Sequence, residues 1–216
     1  VHATAQEVVK NCHYVVLSVK PQNYEELLKE LATVAKPETV FISIAAGMTA
    51  PYIKSCLGYD AKVVVVMPNT PMLIGYGTVA MSNASPTTDE EFAYVMSIFG
   101  AAGEVAEIPA DKMNEVIPFN GSSPAFIYRI AQIFVNNAVE LGFDADTANK
   151  LFCSTLIGSA RMMLDTGKTH QELIDMVTSP GGTTIRGLNT MNEHGLEEAL
   201  RAGIEDCIKR AYELGK

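Results

Sequence analysis

The residues best placed to do chemistry are Thr178-Ser179-Pro180-Gly181-Gly182-Thr183-Thr184. Three hydroxyl types surround a Pro-Gly-Gly turn, and Ile185 to His194 behind it reads as a helix. Proline sets one backbone angle, and two glycines give shapes that other residues resist. A Gly-rich turn that opens a helix aims several free N–H groups at one point, and the helix dipole adds partial positive charge there. The product is a pocket for a small anion, most simply a carboxylate or a phosphate. The same seven residues also fit an ordinary tight turn.

Three further clusters stand where strands are expected to end. Ser18-Val19-Lys20-Pro21 carries a cation. Ala45-Ala46-Gly47 is small enough to let a flat ring approach the backbone. Met67-Pro68-Asn69-Thr70-Pro71 is a rigid loop with an amide side chain. Each alone is weak, because Pro and Gly often follow strands. At successive strand ends of an α/β sheet they read together as one dinucleotide groove. The pyrophosphate fingerprint G-x-G-x-x-G is absent, and Gly75-Tyr76-Gly77 does not replace it because no helix follows.

The elements that must carry these clusters alternate through the first half. Tyr14 to Val19, Thr39 to Ala45, Lys62 to Met67, Gly77 to Ser82 and Gly103 to Ile108 read as strands, with Gly77 to Ser82 a candidate antiparallel one. Helices are expected from Pro21 to about Ala35, from Thr49 to Leu57 before Gly58, and from the capping box Thr88-Asp89-Glu90-Glu91 to Phe99. Thr4-Ala5-Gln6-Glu7 reads as another capping box, opening a short helix that runs straight into a strand. A fold that opens on a crossover helix lacks the strand before it, so the chain from Val1 is expected to miss an N-terminal part of the sheet, the part where a glycine fingerprint belongs.

After about Asp111 the strand signals stop. Pro124 to Leu141 is apolar nearly all round. Asp144 caps a helix from Ala145 to Thr166, Thr169-His170-Gln171-Glu172 is a third capping box, and Leu196 to Leu214 carries one apolar stripe. The expected fold class is therefore α/β, Rossmann-like and incomplete at its N-terminal side, followed by an all-α domain. The division is drawn as residues 1–110 and 111–216. An all-round apolar helix in so small a helical domain is expected to be covered by a partner subunit; burial inside a larger single-chain bundle is the other option.

Composition narrows the classes. The chain has 216 residues, 48% hydrophobic content and a formal net charge of −9. That supports a packed core and repels nucleic acid and anionic membranes. No apolar run approaches the ~20 residues of a membrane span, and no signal peptide is read. Cys12, Cys56, Cys153 and Cys207 are scattered, without a C-x-x-C pair, which reads as reduced thiols in a cytoplasmic protein. His2, His13, His170 and His194 lack metal-ligand spacing, so no metal site is expected.

Val19-Lys20-Pro21-Gln22, Met67-Pro68-Asn69-Thr70-Pro71, Gly121-Ser122-Ser123-Pro124-Ala125-Phe126 and Ser179-Pro180-Gly181-Gly182-Thr183-Thr184 follow one another in this order. In that series the chain resembles the pyrroline-5-carboxylate reductases over all 216 residues. The resemblance implies reduction of the cyclic imine L-1-pyrroline-5-carboxylate to L-proline with NADPH or NADH, the last step of proline synthesis. It implies a homodimer, possibly a higher oligomer. Ser179, Gly181, Gly182, Thr183 and Thr184 would hold the substrate carboxylate. Ser18, Val19, Lys20 and Pro21 would line the cofactor, with Ala45, Ala46, Gly47 and Asn69 near the nicotinamide end. Thr184 is the candidate for a hydrogen bond to the reacting nitrogen, with Ser122 behind it. Hydride transfer is the cofactor's work, and a cyclic imine takes up a proton readily, so no strong acid–base pair is demanded. The chain departs from the family pattern at Ser123, where Gly is usual, at Ile117, where Thr is frequent, and at Ala5, where Asn often contacts the nucleotide. The changes at Ile117 and Ser123 keep open a related reductase of another imino or keto acid, and the absent glycine fingerprint keeps open a non-catalytic regulatory paralogue.

Overall fold

The structure is a computed structural model and describes residues 3–215; Val1, His2 and Lys216 lie outside the described residues. In chain order the first part runs α1 (Ala5–Asn11), β1 (Tyr14–Leu17), α2 (Tyr24–Ala32), β2 (Val40–Ser43), α3 (Ala50–Leu57), β3 (Lys62–Met67), β4 (Gly77–Ala84), α4 (Asp89–Gly100) and β5 (Gly103–Glu107). The strands form one sheet in the order β1-β2-β3-β4-β5. β1, β2 and β3 are parallel, β4 runs antiparallel to β3, and β5 is parallel to β4. The short link before Gly77 leaves no room for a crossover, which is why β4 reverses.

The strand alternation assigns side chains to two faces. Val63, Val65 and Met67 join Val9, Leu28, Leu31, Ile53 and Leu57 under α1, α2 and α3. Val64 and Val66 join Phe92, Val95 and Phe99 under α4. The central strand is thus covered on both faces, as a near-continuous apolar run requires. Burying each of these side chains is worth roughly 1.5–3 kcal/mol against leaving it in water.

Local chemistry explains the helix ends. Thr88 and Glu91 make the expected capping box, and so do Thr169 and Glu172. At Thr4 only half the box forms. The Thr4 hydroxyl accepts from the Glu7 N–H at 3.2 Å, but the Glu7 carboxylate accepts from Ala3 N at 2.9 Å, one residue farther out than a capping box requires. The helix expected from Pro21 begins as a 3-10 turn, Pro21–Asn23, and only then becomes α2. Proline lacks the N–H and holds Lys20 extended, so regular helix starts later. The strands close at Leu17 and Ser43, earlier than the apolar runs suggested, which leaves Val19 and Ala45 in the connecting segments.

The chain continues with α5 (Ile117–Asn120), α6 (Ser123–Glu140), α7 (Ala145–Asp165), α8 (His170–Val177), α9 (Thr183–Glu193) and α10 (Leu196–Leu214). The molecule divides into two compact units: residues 1–124 with 204–216, and residues 125–203. The sheet-bearing unit therefore extends past the division drawn at 110–111 and takes back the end of α10. The physical reason is Ala211, which is buried in the core under α1, α2 and α3 together with Met113 and Ile117.

The helical unit has almost no interior of its own. Among its described residues only Ala148 is buried. Ile130, Ile133, Phe134, Leu151, Ile157, Met163 and Met176 are all exposed within one chain. Phe134 and Phe152 stack at 4.5 Å between centroids, and the stacking spans only α6 and α7. A folded unit of this size needs a buried core, so this surface belongs against another protein surface.

Candidate functional site

In the sheet-bearing unit the register brings the ends of the parallel strands to one edge. Leu17 pairs with Ser43, and Ser43 with Val65. Ser18, Val19, Lys20 and Pro21 after β1, Ala45, Ala46 and Gly47 after β2, and Asn69 after β3 therefore share that edge. Tyr24 ties the first two ends together: its hydroxyl donates to Leu17 O at 2.9 Å and lies 3.1 Å from Ser43 Oγ. Tyr24 is fully buried, and burial pushes its phenol up from its ordinary value, with Ser43 pulling the other way. It remains a neutral clamp at any physiological pH.

The clusters differ in what they offer a ligand. Ser18 and Lys20 are exposed, Val19 lies at the edge of exposure, and among the described residues Lys20 makes no ion pair. Lys20 O accepts from Asn23 N at 2.9 Å, which fixes the backbone beneath the free ammonium group. Gly47 is otherwise engaged. It takes φ +79°, and a methyl there would stand 2.8 Å from Gly215 N and 2.9 Å from Ala211 O. Its missing side chain makes room for the end of α10, not for a flat ring. Ala45 is also buried in the core, and of these three only Ala46 is partly open.

Asn69 has both amide hydrogens engaged. Its Oδ1 accepts from Thr78 N at 2.9 Å, and its Nδ2 donates to Thr78 Oγ1 at 2.9 Å and to Asn120 O at 3.2 Å. It shapes the loop and has no free N–H to offer. Ser122, in the same unit, has its N–H bonded to Ile117 O at 2.8 Å and is half-buried. Ile117 is itself buried in the core beside Met113.

The second cluster lies wholly in the helical unit. α8 ends at Val177, and the Thr178 hydroxyl donates to Ile174 O at 2.9 Å. Gly181 takes φ +74°, a left-handed value that strongly favours glycine. Gly182 is the N-cap of α9 and donates its N–H to Ser179 O at 2.9 Å. A methyl at Gly182 would stand 2.7 Å from Ser179 Oγ and 3.1 Å from Ser179 O, so the turn is closed too tightly for a side chain. No side chain caps this helix. By helix geometry the N–H groups of Thr183, Thr184 and Ile185 have no partner inside α9. Ser179, Gly181, Thr183 and Thr184 are exposed, so the five residues expected to hold a carboxylate do stand together around unpaired donors.

Sequence reasoning missed Tyr24, Thr78, Asn120 and the end of α10. Asn120 left one signal, a lone amide after the apolar run Val116-Ile117-Pro118-Phe119. The others left none, because each acts through a contact distant in sequence. Among the described residues no group of three or more His, Cys, Asp or Glu side chains is placed to hold a metal ion. Among the described residues no helix is long and apolar enough to cross a membrane.

Residues 110–214 match the family model described as pyrroline-5-carboxylate reductase dimerisation, and residues 1–47 match that of NADP oxidoreductase coenzyme F420-dependent. The pyrroline-5-carboxylate reductase of Escherichia coli strain K12 is 33% identical over 213 residues, covering 99% of this chain and 79% of that protein. That of Methanosarcina acetivorans is 34% identical over 209 residues, covering 97% and 77%. The chain belongs to the pyrroline-5-carboxylate reductase family. Among solved structures it is similar to the Plasmodium falciparum pyrroline carboxylate reductase with NADP bound, with a TM-score of 0.95 at 25% identity, covering 100% of this chain and 82% of that one. The 1-pyrroline-5-carboxylate reductase of Streptococcus pyogenes gives 0.93 at 27% identity, covering 98% and 80%. The family's dimerisation region includes α6 to α9, whose apolar side chains are left uncovered in the single chain, and so gives that surface its partner: a second copy.

Proposed function

We propose that this protein reduces L-1-pyrroline-5-carboxylate to L-proline with NADPH or NADH, as the last step of proline synthesis, in the cytoplasm. The observation that carries the reading is the turn before α9. Gly181 turns the chain at φ +74° and Gly182 packs tightly on Ser179, so that Thr183 and Thr184 present their N–H groups outward at a positive helix end. A small carboxylate is the natural occupant. Family membership supplies the imine. Four free cysteines support a reducing compartment.

The parts divide the work. Ser18, Val19, Lys20 and Pro21 hold the dinucleotide, with Lys20 as the cation facing its charged portion and Ala46 forming the accessible rim. Reduced nicotinamide supplies a hydride to the carbon of the C=N bond. Ser179, Gly181, Gly182, Thr183 and Thr184 fix the carboxylate, which orients the ring. The Thr184 hydroxyl hydrogen-bonds the reacting nitrogen, which carries the proton; Ser122 is the alternative hydroxyl. A substrate that is already basic enough to be protonated needs no acid–base pair from either cluster. The sheet-bearing unit serves the cofactor, and the helical unit serves the substrate carboxylate and dimerisation.

The buried Ile117 favours a test of substrate range as well, because no hydroxyl is available from that position. The product of the complete gene is assayed by NADPH oxidation against pyrroline-5-carboxylate, other cyclic imino acids and acyclic 2-keto acids, with the product identified chemically. Proline formation as the fastest reaction is expected. NADPH binding with no imine reduction, or a clear preference for an acyclic acid, rejects the reading.

A further inference from the structure

Beyond Met67 the β3–β4 ladder stops, yet its register continues through side chains. Met67 faces Ala80, so two residues on Asn69 stands opposite Thr78. The Asn69 amide makes the next rung there, accepting from Thr78 N at 2.9 Å. α5 then closes the network from outside. The Asn120 Nδ2 donates to Met67 O at 2.7 Å and reaches Thr78 O at 3.4 Å, while Asn120 O accepts from Asn69 Nδ2 at 3.2 Å. Asn120 is 9% exposed, and its Oδ1 is buried without a hydrogen-bond partner.

An unsatisfied buried acceptor is a standing cost. A leucine there would avoid the cost but would remove the hydrogen bond to Met67 O. The structure keeps Asn120 for its two donor hydrogens. They join the last carbonyl of β3 to a carbonyl of β4, on either side of the rigid Pro68–Pro71 loop. The same short helix leads straight into Gly121 and Ser122. A methyl at Gly121 would stand 3.2 Å from Ile117 O and 3.3 Å from Met67 Sδ, so this segment lies hard against the strand end.

We propose that Asn120 is a positioning residue for hydride transfer: with Asn69 and Thr78 it clasps the third strand end, setting the Pro68–Pro71 loop and the Ser122 segment in one fixed relation. This rests on the strand-end edge being the cofactor site. Asn120 touches neither reactant; its effect passes through the loop. Misplacing reacting groups by a fraction of a bond length costs rate more than binding.

The test is Asn120→Asp in the product of the complete gene. A carboxylate turns an acceptor toward two carbonyls, whereas the neutral acid regains one donor for Met67 O. At neutral pH kcat is expected to fall about tenfold or more, with the NADPH dissociation constant within about twofold of wild type. As pH drops and the buried acid protonates, the ratio of mutant to wild-type kcat is expected to rise. A role confined to stability would lower the melting temperature and leave kcat and this pH profile unmoved. Asn120→Ser, shorter and with a single donor, is expected to fall in kcat without the pH-dependent recovery. A wild-type kcat in both folded variants overturns the proposal. Amide hydrogen exchange over residues 68–78 is measured in the same samples. If the wild-type protein does not reduce the imine, the functional reading fails. The clasp is then judged by exchange alone: lost protection in the variants supports it, and unchanged protection overturns it.

Discussion

The turn before α9 can be opened by one methyl group. In Gly182→Ala the added carbon would meet Ser179 Oγ at 2.7 Å and Ser179 O at 3.1 Å. The hydroxyl can swing aside. The carbonyl cannot, because it accepts the Gly182 N–H at 2.9 Å. Gly182 itself has φ −71° and ψ 166°, values that alanine adopts freely, so the whole penalty is contact and none is backbone strain. The carbonyl must move by a few tenths of an ångström, and the N–H groups of Thr183 and Thr184 turn with it. A hydrogen bond from an amide to a charged group contributes roughly 1.5–3 kcal/mol, so losing one costs about ten- to a hundredfold in affinity. KM for pyrroline-5-carboxylate is therefore expected to rise by about that factor. If the carboxylate is held equally in ground and transition states, kcat stays within about threefold. The cofactor contacts proposed here lie in the other unit, so the NADPH dissociation constant is expected to stay unchanged. Steady-state kinetics and NADPH titration on the same preparation read all three. A Gly182→Ala protein with KM within about twofold of wild type would refute the claim that these amides hold the acid.

Other consequences concern stability and assembly. Tyr24→Phe strips the donor from Leu17 O and the partner from Ser43, both in the core, and is expected to cost about 1–3 kcal/mol in urea unfolding followed by circular dichroism, the chain having no tryptophan to report. Glu91 is pushed up by burial. Hydrogen bonds from Lys62 and the Thr88 N–H, the Lys62 charge and His13 outweigh that and leave its carboxyl below the usual range. With the folded value depressed, its stabilisation is present above the unfolded glutamate range and is lost as pH falls through the folded value. Glu91→Gln should therefore flatten the acid limb of the stability profile, and an acid limb as steep as wild type would count against the Lys62–Glu91 pair. Ile130→Glu places a charge on an exposed apolar face of α6 and is expected to shift the dimer toward monomer by sedimentation at micromolar concentration. An unchanged dimer would mean that this face is not the interface.

Local patterns gave away most of the elements. Thr88 with Glu91 and Thr169 with Glu172 mark helix starts because the box closes within four residues. The Val63 to Met67 run is apolar throughout because both faces of that strand are covered. The turn at Gly181 and Gly182 is equally local, since its angles and its tight closure need nothing beyond residue 179. Tertiary structure alone decided the remainder. Gly47 has a local reason to be glycine in its φ of +79°, but its second reason, the close approach of Ala211 and Gly215, comes from a segment far along the chain. The work of Asn69 is defined by Thr78 and Asn120, and Tyr24 acts by bridging two strand ends. Short-range steric and capping preferences act between neighbours and can be read from a string of letters. A hydrogen bond or a close backbone approach between distant segments exists only once packing has brought them to the same place.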